Sequence, residues 1–422
     1  MLLVVLMIGM AAALLVYGMV DTTSIALRRD KDTAAAFAEA KGALIGRAVA
    51  DDNRPGSLPC PDTDNDGSAE IFSGADCPGN LPGSNVYVGR LPWRTLGLPD
   101  LRDASGERLW YAVLREFARN PTCAPSCPIN SDTKGALTVY LDSPPTSLTT
   151  EAVAVIFAAG APLEAQSRST SATALCPTTG TTIAQNLCAA NYLDSMGTIN
   201  NATPTANPPL APAPSFISAP TSYIPPPGFN DKVMVITTAD LMPVVEQRVA
   251  RELLALLQSY RAASSVPFFP SDPQTPCNCY TWADNDNNNE GDNDAFRGWL
   301  PLGEGDPHDW SVTPPSPAGL GIVVPAWLHQ NNWWQVIYYA VAPDETQNKS
   351  GGTLWVDAIP GTHVVLITPG PAPPGVPRPV SPPGTPAYWA EYLEPGNADH
   401  SDNNYVRPSS SAYARNRLYT IP

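Results

Sequence analysis

Residues 1–50 read MLLVVLMIGMAAALLVYGMVDTTSIALRRDKDTAAAFAEAKGALIGRAVA, and the fold expected for the whole chain follows from them. Leu2 to Val20 carry no charge. A helix of that length reaches roughly 30 Å, the thickness of a bilayer's hydrocarbon core. A secretory signal peptide would need a basic start, a shorter apolar run and a small-x-small cleavage site, and no basic residue precedes Arg28. Beyond the apolar run, Leu27, Ala34, Phe37, Ala40, Leu44 and Ala48 recur at helical spacing, with Arg28, Asp32, Glu39, Lys41 and Arg47 on other faces. Asn53-Arg54-Pro55-Gly56 ends the pattern. The expectation is one helix of about 50 residues, apolar in its first half and amphipathic in its second.

The remainder reads as two copies of one plan. FAEAKGALIGRAVA (37–50) is followed by LPCPDTDNDGSAE, GRLPW, LWYAV, GALTVYL, AVIFAAGAPL and NYLDS. VEQRVARELLALLQSYRAA (245–263) is followed by TPCNCYTWADNDNNNEGDND, RGWLPL, IYYAV, GGTLWVDA, HVVLITPGPA and EYLEPGN. Cys60 thereby matches Cys277, Leu91-Pro92 matches Leu300-Pro301, Tyr111 matches Tyr339, Gly160 matches Gly370, and Tyr192-Leu193 matches Tyr392-Leu393. Internal repetition at near-constant spacing signals duplication. Each copy reads as a helix, an acidic loop and short β-rich runs bounded by Gly, Pro and Ser, which is an α+β pattern without βα alternation. The second helix is expected at Asp240 to Ala263, with Pro243 tolerable in its first turn.

The chain has 422 residues and 48 prolines, favouring short strands and long loops, and its net charge of −16 argues against nucleic acid as a partner. Its eight cysteines fall as Cys60/Cys77, Cys123/Cys127, Cys176/Cys188 and Cys277/Cys279. An even count in loops points to disulfides made in an oxidising compartment. Zinc ligation would require two pairs in register, and Cys277-x-Cys279 is too tight.

Asp62, Asp64 and Asp66 alternate before Gly67, and Glu70 follows. Carboxylates placed this way can converge on one hard cation, Ca2+ above all, although Ser73 stands where an EF-hand needs its bidentate glutamate. The matching loop of the second copy carries Asp284, Asp286, Glu290, Asp292 and Asp294. The plain alternative is that Asp, Asn and Gly simply make solvated loops.

The N-terminal helix resembles that of type IV pilins and of the pseudopilins of type II secretion. The resemblance implies an α+β fold in which a long N-terminal transmembrane helix packs on an antiparallel β-sheet head, here followed by a second helix-plus-antiparallel-sheet head. It implies a transmembrane helix and neck at 1–30, a first head at 31–238 that includes the Pro/Ala-rich stretch 201–230, and a second head at 239–422. Most pilins carry Glu at mature position five, where this chain has Val5, so the resemblance is to the minor, tip-located kind. It further implies a structural pilus or secretion-filament subunit whose partners are other pilin or pseudopilin subunits. The subunit would be anchored once in the bacterial inner membrane, with periplasmic heads that become extracellular in a filament. Calcium in head loops is likewise implied by the resemblance.

No catalytic pattern stands out. His308, His329, His363 and His400 form no HExxH, and no G-x-S-x-G elbow or P-loop is present, so the chain is not expected to be an enzyme. The rivals are a tip adhesin or ligand-binding protein, using the eight tryptophans of the second copy on a surface or carbohydrate, and a membrane-anchored periplasmic enzyme. The favoured reading of those tryptophans is that they fill that copy's core.

Overall fold

A helix at 27–49, α1, opens the described part of the chain. The structure, a computed structural model, describes residues 27–79, 85–120, 127–141, 146–163, 166–204, 214–221, 228–264, 278–285, 291–292, 295–302, 321–346, 351–371, 378, 389–399, 402–407 and 415–422. Two compact units result. The first holds Leu58–Ala118, Gly135–Thr237 and the chain up to Arg47; the second holds Thr238–Pro422 together with Ala48–Ser57 and Arg119–Lys134. The units are therefore not contiguous halves, because two short segments of the N-terminal half complete the second unit's core.

In the first unit α1 buries Thr33, Ala36, Phe37, Ala40 and Leu44. The sheet consists of β1 (Val86–Arg90), β2 (Trp110–Leu114), β3 (Leu137–Leu141), β4 (Ser147–Ala158), β9 (Ser215–Ser218) and β10 (Lys232–Thr237). Two small hairpins, β5 (Thr173–Cys176) with β6 (Thr181–Ala184) and β7 (Ser195–Met196) with β8 (Ile199–Asn200), lie outside it. The order is β1-β2-β4-β3-β9, and β10 also pairs with β4. Every pairing in this sheet is antiparallel except β3 with β9. Strands β1 and β2 are buried along their whole length, Arg90 at the end of β1 included, so neither shows the alternation of a half-buried strand. Lys41 Nζ reaches the Val235 carbonyl on β10 at 3.0 Å, and the Ala104 amide donates to Thr33 Oγ1 at 3.1 Å. Both contacts tie α1 to this unit.

The second unit repeats the plan. Helix α2 (Thr238–Ala263) packs on a sheet ordered β11 (Arg297–Trp299), β12 (Tyr338–Val341), β15 (Val364–Thr368), β17 (Arg417–Ile421). Strand β13 (Leu354–Val356) pairs antiparallel with β14 (Ile359–Thr362) and parallel with β16 (Asn404–Tyr405), as β3 pairs with β4 and β9. Registers agree residue by residue. Tyr111 faces Gly89 and Ile156, while Tyr339 faces Gly298 and Leu366; Lys232 faces Ala158, while Arg417 faces Thr368. The helices agree as well. The buried series Thr33, Ala36, Phe37, Ala40, Leu44 has the spacing of Glu246, Val249, Ala250, Leu253, Leu257. One packing solution is built twice.

Two close approaches fix this plan. A Cβ on Gly298 would lie 1.9 Å from the Asp284 carbonyl oxygen, and one on Gly89 would lie 2.7 Å from that of Asp62. Asp62 bridges Arg90 and Asp284 bridges Trp299, so each acidic loop is stitched backbone to backbone onto a strand that must carry glycine there.

The membrane expectation is corrected. No helix among the described residues is long and apolar enough to cross a membrane. The described part of α1 carries Arg28, Arg29, Asp30, Lys31, Asp32, Glu39, Lys41 and Arg47, and α2 carries Asp240, Glu246, Arg248, Arg251 and Glu252. Charge at that density suits a helix lying on a sheet in contact with water. The Leu2 to Val20 segment lies outside the described residues. The fold is accordingly one of mixed helices and strands, and the transmembrane helix and the single-pass inner-membrane placement with periplasmic heads are withdrawn.

Cys60–Cys77 and Cys176–Cys188 are disulfides closing separations of 17 and 12 residues. Cys127 and Cys279 are also disulfide-bonded, whereas Cys123 and Cys277 lie outside the described residues. Among the described tryptophans of the second copy most go inward, and Trp310 and the Trp389 side chain lie outside the described residues. Trp299, Trp327 and Trp333 are buried, Trp282 and Trp334 are half-buried, and Trp355 is 41% exposed.

Candidate metal centre

The acidic loop of the first unit runs from Asp62 to Glu70 and begins beside the Cys60–Cys77 disulfide. Asp62 is fixed first. Its amide donates to the Arg90 carbonyl at 2.9 Å, and its carbonyl accepts from the Arg90 amide at 2.6 Å. Its carboxylate then accepts the Asn65 amide at 2.6 Å on Oδ1 and the Gly67 amide at 2.7 Å on Oδ2. This curls the chain over it. Gly67 sits at φ +91°, and a Cβ there would lie 2.5 Å from the Trp93 ring. Arg108 holds the outside of the turn, donating to the Asn65 carbonyl at 2.7 Å and pairing with Asp100 at 2.8 Å.

Within the curl, Asp62, Asp64 and Glu70 each offer a carboxylate oxygen, all within 4.8 Å of one another. Burial pushes the Asp62 carboxyl up to about 6; its two backbone hydrogen bonds pull it down, and Asp64 and Asp66 push it up again. A divalent cation would stabilise the ionised form that burial disfavours. Glu70 Oε1 accepts from the Thr63 amide at 3.0 Å, so this carboxylate is already turned toward the loop.

Asp66 does not join them. Its Oδ1 accepts the Ser68 amide at 2.6 Å, and that bond holds its carboxyl below the usual value. The sequence groups Asp66 with Asp62, Asp64 and Glu70, but the turn at Asn65 and Gly67 directs it to Ser68, and only the other three converge.

In the second unit Asp284 is fully buried and exchanges backbone hydrogen bonds with Trp299 at 3.1 and 2.7 Å, as Asp62 does with Arg90. Asp292 Oδ2 accepts the Asn285 amide at 2.6 Å. Asp286, Glu290 and Asp294 lie outside the described residues, and so do His308 and His400. His363 pairs with Glu345 at 2.9 Å, and Glu345 also pairs with Arg261 at 2.6 Å.

A second constellation escaped the sequence reading. Arg168 lies over the Tyr192 ring at 4.3 Å, donates to the Gly160 carbonyl at 3.0 Å and pairs with Glu107 at 2.8 Å. Arg378 lies over Tyr392 at 4.7 Å and donates to the Gly370 carbonyl at 2.6 Å. Each arginine follows its glycine by eight residues, a signal present in the sequence. Beneath Tyr192 the Arg90 guanidinium is sandwiched between that ring, at 4.1 Å, and Trp110, at 4.3 Å. In the second unit the Trp299 ring, 5.5 Å from Tyr392, stands in place of Arg90.

The comparisons with known proteins identify no family for the chain: no protein-family profile, no curated protein and no solved structure matches it.

Proposed function

We propose that the chain is a structural subunit with two pilin-head-like units, acting through its surfaces in an assembly with other pilin-type subunits rather than through catalysis. One observation carries this reading. The same helix-on-sheet unit, with the same Arg-over-Tyr lock, is built twice, and the charged clusters within each unit serve its internal order. Arg168 is spent on Gly160, Glu107 and Tyr192, and Arg378 on Gly370 and Tyr392. Duplicated scaffolds of this sort multiply surface, and fold alone names no chemistry.

On the same reading, Asp62, Asp64 and Glu70 hold a divalent cation that stiffens the first unit's loop, Ca2+ being the hard, oxygen-seeking choice. A tip or ligand-binding role has one observation in its favour, the exposed Trp355 with Ile359, 66% exposed, on the neighbouring strand. Deleting the chain in its own cells tests the proposal. Loss of assembled filaments with unchanged small-molecule metabolism is expected, and intact filaments would overturn it.

A further inference from the structure

A cavity of about 230 Å³ opens at the start of the described part of α1, inside the first unit. Its walls include Arg29, Asp30, Thr33, Asp103, Ala158 and Lys232. Three of these have counterparts fixed by register and helix spacing. Thr33 corresponds to Glu246, Ala158 to Thr368 and Lys232 to Arg417.

In the second unit those counterparts form one closed cluster. The Glu246 carboxylate is fully buried and accepts from Ser131 Oγ at 2.6 Å, Thr368 Oγ1 at 3.1 Å and Arg417 at 2.7 Å. In the first unit the helix residue is the shorter Thr33, whose hydroxyl is engaged by the Ala104 amide, and Ala158 brings no hydroxyl. The cation is retained, however. Lys232 pairs with Asp30, whose side chain is 61% exposed, so this pair faces water where the matching one buries its carboxylate. Where the second unit places a carboxylate, the first unit has a cavity with the same cation at its edge.

The Asp103 carboxylate accepts three backbone amides, from Ser105, Glu107 and Gly160, and is compensated by them. Arg29 and Lys232 line the cavity together with the carboxylates of Asp30 and Asp103, and Lys232 is paired with Asp30. The volume lies below the range for drug-sized ligands, which limits an occupant to about ten non-hydrogen atoms.

We propose that this cavity binds a small carboxylate-bearing molecule, whose carboxylate takes the place filled by Glu246 in the second unit and is held by Lys232 and Arg29. Two sources share this chemistry, amino acids and sugar acids. The test uses the full chain with L-alanine and D-glycerate as probes, and with L-alaninamide and glycerol as their uncarboxylated controls. Calorimetric titration should show saturable binding of at least one acid with a millimolar or tighter Kd, at least tenfold tighter than its control. The acid that binds identifies the source. Thr33→Glu should supply the carboxylate within the chain, raise the melting midpoint and weaken binding at least tenfold. Lys232→Met should weaken it equally while leaving the second unit's fold unchanged. Binding of neither acid, equal binding of the controls, or full binding to a folded Thr33→Glu variant would overturn the proposal.

Discussion

Asn416 in the second unit stands where Asp231 stands in the first. The Asp231 carboxylate accepts the Asp194 amide at 2.8 Å, and the Asn416 side-chain oxygen accepts the Glu394 amide at 2.6 Å. Asn416 also donates, to the Tyr392 carbonyl at 2.9 Å and the Pro369 carbonyl at 3.2 Å. An ionised Asp231 cannot donate. Burial, and then the neighbouring Asp194, push its carboxyl well above the usual value, against the Asn201 amide and Arg168, which pull it down. Asp231 and Asn416 thus share the acceptor role, and only Asn416 donates.

A stability change follows for Asp231→Asn. A carboxyl whose folded pKa is raised contributes stability that is fully present below about pH 4 and is lost as pH rises through the folded value. Near pH 7 the wild type carries that loss, whereas the amide does not. Asp231→Asn should therefore raise the melting midpoint by a few degrees near pH 7 and change it little near pH 4. Thermal unfolding across that range checks the sign. Destabilisation at neutral pH would contradict it.

The glycine opposite each acidic loop is a second point of test. Gly298→Ala forces backbone apart at the Asp284 carbonyl, and no flexible side chain is available to yield. A loss of about 3 kcal/mol or more is expected, with Gly89→Ala costing less because its clash is milder. Urea unfolding of both variants measures the order.

Removing the Arg-over-Tyr lock should cost stability in either unit. Arg168→Met strands Glu107 and the Gly160 carbonyl in a site where the arginine side chain is only 9% exposed. The expected loss is about 3 kcal/mol. Arg168→Lys should recover only part of it, since an ammonium cannot stack on Tyr192 and serve both acceptors. Parallel denaturation curves of the two variants decide the point.

The cation reading predicts a pH-dependent response. Without a cation, the raised Asp62 carboxyl adds stability below about pH 4 that is lost as pH rises through about 6. A bound cation offsets that loss, adding about 2.7 kcal/mol at a hundredfold excess over Kd. Added Ca2+ should raise the melting midpoint more near pH 7.5 than near pH 5, where the proton competes. Asp64→Ala should abolish most of the rise and Asp66→Ala little of it, because Asp66 is turned to Ser68. Equal effects of the two variants would contradict the assignment.

The repeat was legible because its landmarks sit at backbone close approaches and ring stacks that tolerate few residues. Tyr111 and Tyr339 keep their register in the sheets, while Gly160 and Gly370, and Tyr192 and Tyr392, keep the same arginine contacts. Thr33 and Glu246 were not legible as a pair, since a threonine and a glutamate share no chemistry until helix spacing aligns them. Segments 48–57 and 119–134 were assigned by sequence position to the first unit, but the side-chain contacts that place them are long-range. Asn130, for example, donates to the Asn331 carbonyl at 2.9 Å. Alternating aspartates were readable as a loop that could gather a cation, but which of them converge depended on the left-handed turn at Asn65. The apolar opening stretch, residues 1–20, lies outside what the structure describes.

The structural role is tested most directly by photocrosslinking in the cells that make the protein. A crosslinking residue would replace Ile71 or Leu148 in the first unit, or Val323 in the second, all exposed at the surface. The account predicts discrete crosslinked species with pilin-type subunits or with further copies of this chain, from at least one of these positions. Uncrosslinked chain alone at all three, in cells with assembled filaments, would contradict it.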